Sequence, residues 1–442
     1  MLVLYIGLVV VIGLIFVWPA WRTFRREESE ARALLAQAQR DGRHEPISIR
    51  PWVDPESCMA SGICVKVCPE VTVLQVIDGT AQLVSGADCV GHGACEVSCP
   101  VNAVDLRFGS ERRGVDLPAV APDFQSNVPG LYIAGELGGM GLIVNAVKQG
   151  AQAAGNLCTG LDRRSGVLDL VIVGAGPAGI AASVEAKDRG LDHVVLEQDA
   201  FGGSILHFPR KKIVMAHGLE LPGQPSLGAG TISKEDLIDL LGKVVDDHDL
   251  PICENERVDA IGRDGEDFLV TTSQREIRTR RVLLAVGRRG TPRKLGVPGE
   301  ELEKVAYRLL DPELVHQQHV LIVGGGDSAL EAAVAIAESP GNRITLSYRK
   351  DRFSRPKPKN VKLLMKAVEA GLVELALGST VREIAPDRVV LDGQDGELVL
   401  ANDRVYVFAG GVLPTAFLAK AGIRIERHFG DRIEVAHEGV MA

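Results

Sequence analysis

The chain opens on an apolar run. No charged residue stands between Met1 and Trp21, and Arg22, Arg25 and Arg26 follow at once. One bilayer crossing takes about 20 apolar residues. Tyr5 near one end and Trp18 and Trp21 near the other suit the two interfaces, and the cations set the orientation. The pattern predicts a single-pass anchor over residues 1–21 in the cytoplasmic membrane, with the large domain cytoplasmic. A cleaved leader would need a basic start and small residues at the cut, and neither is present. Residues 22–46 turn polar and alanine-rich, which predicts a helical stalk or, equally, a flexible linker; Pro46 and Pro51 close it.

Further on, two segments show the same succession of apolar strand, glycine turn and alanine-rich helix, opening at Leu168 and His319. That succession predicts βαβ units and hence two Rossmann-like dinucleotide-binding domains, over 166–298 and 299–408. A small α+β module falls at 47–110. A glycine-rich stretch over 115–162 holds one short apolar strand, Gly130 to Ala134, and 409–442 follows the second unit. The expected class is α/β with two Rossmann-like domains, the small module and one transmembrane helix.

Composition narrows the function. The apolar fraction is 46% of 442 residues, enough for buried cores in about three domains. The net charge is −9 with no long basic run, which excludes nucleic-acid binding as the main activity. Eight cysteines are present, six of them between positions 58 and 99. Cysteines so clustered in a chain of this size point to metal rather than to disulfides.

The first glycine turn reads Gly174-Ala175-Gly176-Pro177-Ala178-Gly179, between a strand and a helix. Such glycines permit a tight turn and let backbone approach a pyrophosphate at the helix N-terminus. Glu197 ends the next strand, 18 residues past Gly179, where a ribose hydroxyl needs an acceptor. The second turn, Gly324-Gly325-Gly326-Asp327-Ser328-Ala329, has no acid at the corresponding place. Arg349, Lys350 and Arg355 stand there instead, which favours a 2′-phosphate and so NADPH, while NADH remains open.

Here the chain resembles the thioredoxin-reductase-like branch of the two-dinucleotide-binding flavoproteins, over about Asp116 to Arg432. The resemblance implies FAD at Gly174, Gly176, Gly179 and Glu197, with Gly202 and Gly203 near the flavin. It implies NADPH at Gly324, Gly326, Ala329, Arg349, Lys350 and Arg355. The Cys-x-x-Cys of thioredoxin reductases is missing from Val305 to Leu310, and Ala178 stands where bacillithiol-disulfide-reductase-like relatives carry cysteine. Disulfide chemistry is therefore not expected. The family's closing segment is also displaced: Val128 to Glu136, the glycines after it and a helix from Asn145 to Leu157 look like that segment but precede the first glycine turn. A circular permutation is the simplest account, placing Gly135 and Glu136 at the flavin.

The cysteine module reads Cys58-x2-Ser61-x2-Cys64-x3-Cys68-Pro and Cys89-x2-His92-x2-Cys95-x3-Cys99-Pro. It resembles the bacterial two-cluster ferredoxin pattern, in which the fourth cysteine of each run serves the other cluster. The resemblance implies Cys58, Ser61, Cys64 and Cys99 round one cluster, and Cys89, His92, Cys95 and Cys68 round the other. Four-iron clusters with a non-cysteine ligand, three-iron clusters and no cluster at all stay open, as does zinc on three cysteines and a histidine.

Together these features predict a membrane-anchored NAD(P)H-dependent oxidoreductase passing electrons through FAD to iron–sulfur clusters. An electron-carrier protein or membrane redox complex would receive them, and a homodimer is compatible with the sequence. Two other readings use the same residues. One is a redox- or nucleotide-sensing membrane flavoprotein. The other is a flavin reductase of an organic substrate, with His207, Phe208, Pro209 and Arg210 lining its pocket.

Overall fold

The computed structural model describes residue 13 and residues 18–432, except 217, 226–229, 289–290 and 395. It divides into two compact units, Met1–Val115 with Phe429–Ile433, and Asp116–His428 with Glu434–Ala442. No helix among the described residues is long and apolar enough to cross a membrane. Of the expected crossing, residues 1–21, only residue 13 and residues 18–21 are described, the latter as the start of a helix.

That helix runs without a break from Trp18 to Arg40. The segment is helical, as one of the two expectations has it, and its second half is packed. Ala31, Leu35 and Ala38 share one face by helical spacing and pack on Ile77 and Val84. Arg32 bonds Glu28 at 2.9 Å and also pairs with Asp78, whose backbone N–H donates to Glu28 at 3.2 Å. The contact is with the hairpin of strands Leu74–Ile77 and Thr80–Leu83. Ala38 is only 3% exposed. Ala38→Glu should therefore weaken the contact by about 2 kcal/mol through overpacking and an unpaired charge. Amide exchange across the hairpin should speed accordingly, and unchanged exchange would show that the packed face contributes little.

In the same unit Ile49–Val53 pairs antiparallel with Val104–Phe108, and two single-turn helices, Ile63–Lys66 and Ala94–Val97, carry Cys64 and Cys95. The far edge of Val104–Phe108 takes Asp431–Arg432, with Arg432 reaching Asp105 at 3.0 Å. The expected return segment 409–442 is thus divided. Gly411 to His428 stays with the second unit, and the next residues pair with the first.

The second unit holds both Rossmann-like sheets. The first runs Ile252–Cys253, His193–Leu196, Leu168–Val173, Glu276–Leu284, Asp267–Thr272, Val258–Asp264. The second runs Val305–Ala306, Arg404–Val407, His319–Val323, Arg343–Tyr348, Val373–Leu377, all parallel. The central strands of both sheets, Leu168–Val173 and His319–Val323, are mainly apolar, as strands covered on both faces are. Leu170, Val171 and Ile172 are fully buried, as is Ile322.

The displaced strand Leu131–Ile133 joins the first sheet. It lies parallel to the C-terminal half of Glu276–Leu284, with Leu131 opposite Val282 and Ile133 opposite Leu284. The helix Ile143–Leu157 then packs on Pro177–Asp188, the helix of the first glycine turn. The displaced segment is thus paired and packed within the second unit.

Candidate functional site

The first glycine turn is built as its sequence requires. The strand ends at Val173 and the helix begins at Pro177. A Cβ on Gly179 would stand 1.8 Å from the Gly174 carbonyl oxygen, so only glycine lets the helix start this close to the strand. Glu197, buried at the end of the second strand, accepts from the Ala175 N–H at 2.8 Å and the Asp199 N–H at 3.1 Å. Gly202 donates to the Ala175 carbonyl at 2.8 Å, which brings Gly203 beside Gly176.

The permuted strand delivers Gly135 and Glu136 to the same place. The Gly135 N–H donates to Gln149 on the following helix at 2.9 Å. A cavity of about 360 Å³ results, walled by Gly135, Glu136, Gly174, Gly176, Glu197 and Gly203. Its size is in the range of cofactor sites. Segments that are far apart in the chain thus build one site, and no cysteine lines it.

Two arginines, Arg308 in the wall and Arg288 outside it, carry no sequence signal. Arg308, in the sequence only part of a stretch without cysteine, stands 2.9 Å from His207 Nδ1, and His207 Nε2 lies 3.4 Å from Asp199. Burial, then the Arg308 charge, pushes the His207 pKa down. Arg288 donates to the Asp116 carbonyl at 3.2 Å and feels the Glu136 carboxylate. Nothing in a motif marks these arginines; their roles come from which loops the fold brings together.

At the second turn Gly326 precedes the helix Asp327–Ala337, and Ala329 is fully buried against Gly324, in the position where the first turn has Gly179. Asp327 Oδ1 accepts from the Lys357 N–H at 2.8 Å and from Asn360 at 2.7 Å. Arg349, Lys350 and Arg355 are exposed in the loop after Arg343–Tyr348, with no carboxylate partner among the described residues. Tyr348 and Phe353 stack at 5.5 Å and shape that loop.

The cysteine module brings its ligands together across the two runs. Cys58, Ser61, Cys64 and Cys99 line one cavity. Cys58 and Cys99 sulfurs already accept backbone N–H groups, from Ala81 at 3.5 Å and Ala103 at 3.2 Å. Cys68 is near enough to Cys89 and Cys95 to influence both, and burial pushes those thiols up to about 11 and about 12. His92 is bonded to the Val67 backbone, and its Nε2 is buried with no partner. A ring held at one nitrogen with the other bare is how metal-ligating histidines are oriented. No three His, Cys, Asp or Glu side chains among the described residues close round a single point as one ion would need. The residues present fit an iron–sulfur group, since cysteines of the two runs are brought together.

Residues 171–436 match the family described as pyridine nucleotide-disulphide oxidoreductase. The chain belongs to that family. Residues 50–100 match a 4Fe-4S dicluster domain. Among its relatives, a ferredoxin–NADP reductase of Thermus thermophilus is 33% identical over 273 residues, 59% of this chain and 78% of that protein. One from Ignicoccus hospitalis is 30% identical over 251 residues, 55% of this chain and 76% of that protein. Bacillithiol disulfide reductase from Bacillus cereus superposes with TM-score 0.55 at 25% identity, over 59% of this chain and 82% of that one.

This member of the pyridine nucleotide-disulphide oxidoreductase family is an NAD(P)H-dependent flavoprotein oxidoreductase of thioredoxin-reductase-like type, joined to a 4Fe-4S domain. The family match begins after the permuted segment, which the sheet pairing nonetheless places inside the domain.

Proposed function

We propose that the protein takes electrons from NADPH and delivers them, one at a time, through two clusters in its cysteine module to an electron-carrier partner. The observation that carries this reading is the single cavity built from the first glycine turn, Glu197 and the permuted Gly135–Glu136. Its wall holds no cysteine, while six cysteines gather in the other unit. FAD, when bound, converts a hydride into single electrons.

The chain's own residues bind and orient. Backbone N–H groups at the start of Pro177–Asp188 would hold the pyrophosphate and Glu197 the ribose. Glu136 would meet the ribitol or its neighbours. Gly324, Gly326 and Ala329 would admit the NADPH pyrophosphate, and Arg349, Lys350 and Arg355 its 2′-phosphate. Cys58, Cys64, Cys99 and Ser61 would hold one cluster, and Cys68, Cys89, Cys95 and His92 the other. Imidazole at a corner raises a cluster's potential relative to thiolate.

The relatives from Thermus and Ignicoccus support a ferredoxin-type partner, since their names pair ferredoxin with NADP. We also assign the protein to the cytoplasmic membrane, anchored by its first residues with the large domain cytoplasmic. Trp18, Trp21 and Phe24 are exposed at the head of the first described helix, and Arg22, Arg25 and Arg26 lie among them.

The test of the nucleotide assignment is a double substitution. Arg349→Ala with Lys350→Ala should weaken NADPH by about 2 kcal/mol, roughly thirtyfold, and NADH far less, because two charge-assisted contacts to phosphate are lost. Steady-state kcat/KM for both nucleotides measures it. A wild type that prefers NADH, or a variant that loses both equally, would contradict the assignment.

A further inference from the structure

Arg210, Lys211 and Lys212 form a run of three cations on the flavin side of the second unit, and no function given above uses Lys211 or Lys212. The run is fixed on its own side. Lys211 N–H donates to Glu235 at 3.1 Å, Lys234 Nζ to the Phe208 carbonyl at 2.8 Å, and Lys234 N–H to the Lys212 carbonyl at 2.8 Å. On the other side it meets three acids of the nucleotide half. Arg210 Nη1 lies 3.4 Å from Asp311, Lys211 Nζ 2.7 Å from Glu313 and Lys212 Nζ 2.9 Å from Glu331. The Arg210 N–H also donates to the Leu310 carbonyl at 2.9 Å.

The third pair differs from the other two. The Arg210 and Lys211 side chains are 54% and 68% exposed, so their pairs are well screened. Lys212 is 28% exposed and Glu331 35%. Glu331 is also not an end point. Its other oxygen accepts from Asn360 at 3.1 Å, and Asn360 donates to Asp327 at 2.7 Å. Asp327 opens the helix behind the second glycine turn and holds the Lys357 N–H at 2.8 Å. Lys357 ends the basic loop that carries Arg349, Lys350 and Arg355. A continuous polar chain therefore runs from the flavin side to both the pyrophosphate turn and the 2′-phosphate loop.

We propose that Lys212 is a positioning residue for the nicotinamide nucleotide, fixing the phosphate-binding loop through Glu331, Asn360 and Asp327. It touches no nucleotide itself. It holds Glu331, and Glu331 orients the amide that ties the loop to the helix start. With the chain intact, Arg349, Lys350 and Arg355 are presented to the phosphate in a fixed place, and less ordering remains to be done on binding. The proposal rests on NADPH as the nucleotide of the second site.

The experiment is calorimetric titration of the FAD-loaded full chain with NADP⁺ and with NAD⁺. Lys212→Glu sets two carboxylates against each other, and Glu331→Lys sets two ammonium groups against each other. Each should weaken NADP⁺ at least about fivefold, the equivalent of one ion pair, and NAD⁺ by less, since only NADP⁺ uses the basic loop fully. The double exchange Lys212→Glu with Glu331→Lys should restore NADP⁺ affinity to within about twofold of wild type. FAD content checks that each variant is folded. Should Lys212→Glu lose its flavin, Lys212→Met keeps the stem and is expected to show a loss of about threefold by the same criterion. Single variants within about twofold of wild type would overturn the proposal, as would equal losses for both nucleotides without rescue by the double exchange. A wild type that fails to bind NADP⁺ would instead overturn the nucleotide assignment, and this inference with it.

Discussion

Replacing Gly150 by valine is expected to strip the protein of its flavin. A Cβ at this position would stand 2.0 Å from the Ala178 carbonyl oxygen, which is backbone and cannot move aside. The helix Ile143–Leu157 would have to lift off Pro177–Asp188. Ala153, Ala154 and Leu157, all fully buried, would lose their packing. Overpacking of a well-filled core costs about 1–3 kcal/mol, and a clash with backbone belongs at or beyond the upper end. The consequence is chemical as well as structural, because the helix supplies Gln149 to Gly135 and so sets the permuted wall of the cavity. Lys148→Val, two residues away on the exposed side, should leave the flavin in place. FAD per chain after gel filtration decides the matter. Wild-type flavin content in Gly150→Val would mean that the permuted helix does not build the site.

Cys95→Ala should separate the two halves of the electron path. Cys95 is 3% exposed, and burial pushes its thiol up to about 12, so a bare thiolate is strongly disfavoured there. Iron bound to that sulfur would offset the penalty. Without that sulfur, the cluster proposed on Cys68, Cys89, His92 and Cys95 should be lost, and ferredoxin reduction should fall to background. NADPH should still bleach the flavin at the wild-type rate, since the cavity in the other unit contains no cysteine. Ferredoxin turnover at the wild-type rate would remove the cysteine module from the path.

Much of this was legible in the chain. Strand–glycine–helix order located both nucleotide turns, because each needs its residue types in one local sequence. The permuted segment was also legible, since Leu131 to Ile133 is an apolar strand followed by glycines. What the sequence concealed depends on distant partners. The docking of Trp18–Arg40 uses Ala31 and Ala38, small residues with weak apolar signal, against a hairpin far along the chain. The pairing of Asp431–Arg432 with Val104–Phe108 joins a late segment to an early one, and no periodicity announces it. No local pattern marks Arg308 or Lys212; only the fold sets His207 and Glu331 opposite them. His92 was a candidate by spacing alone; its buried, unpartnered Nε2 is what only the structure adds.

The central claim is that electrons pass from NADPH through the flavin to the cysteine module, and rapid-freeze EPR with parallel stopped-flow absorbance tests it most directly. Anaerobic full-length protein is mixed with one equivalent of NADPH. The account predicts that flavin absorbance bleaches first and that reduced-cluster EPR signals then rise as it recovers. Flavin that bleaches and stays reduced, beside clusters that remain oxidised but accept electrons from dithionite, would contradict it.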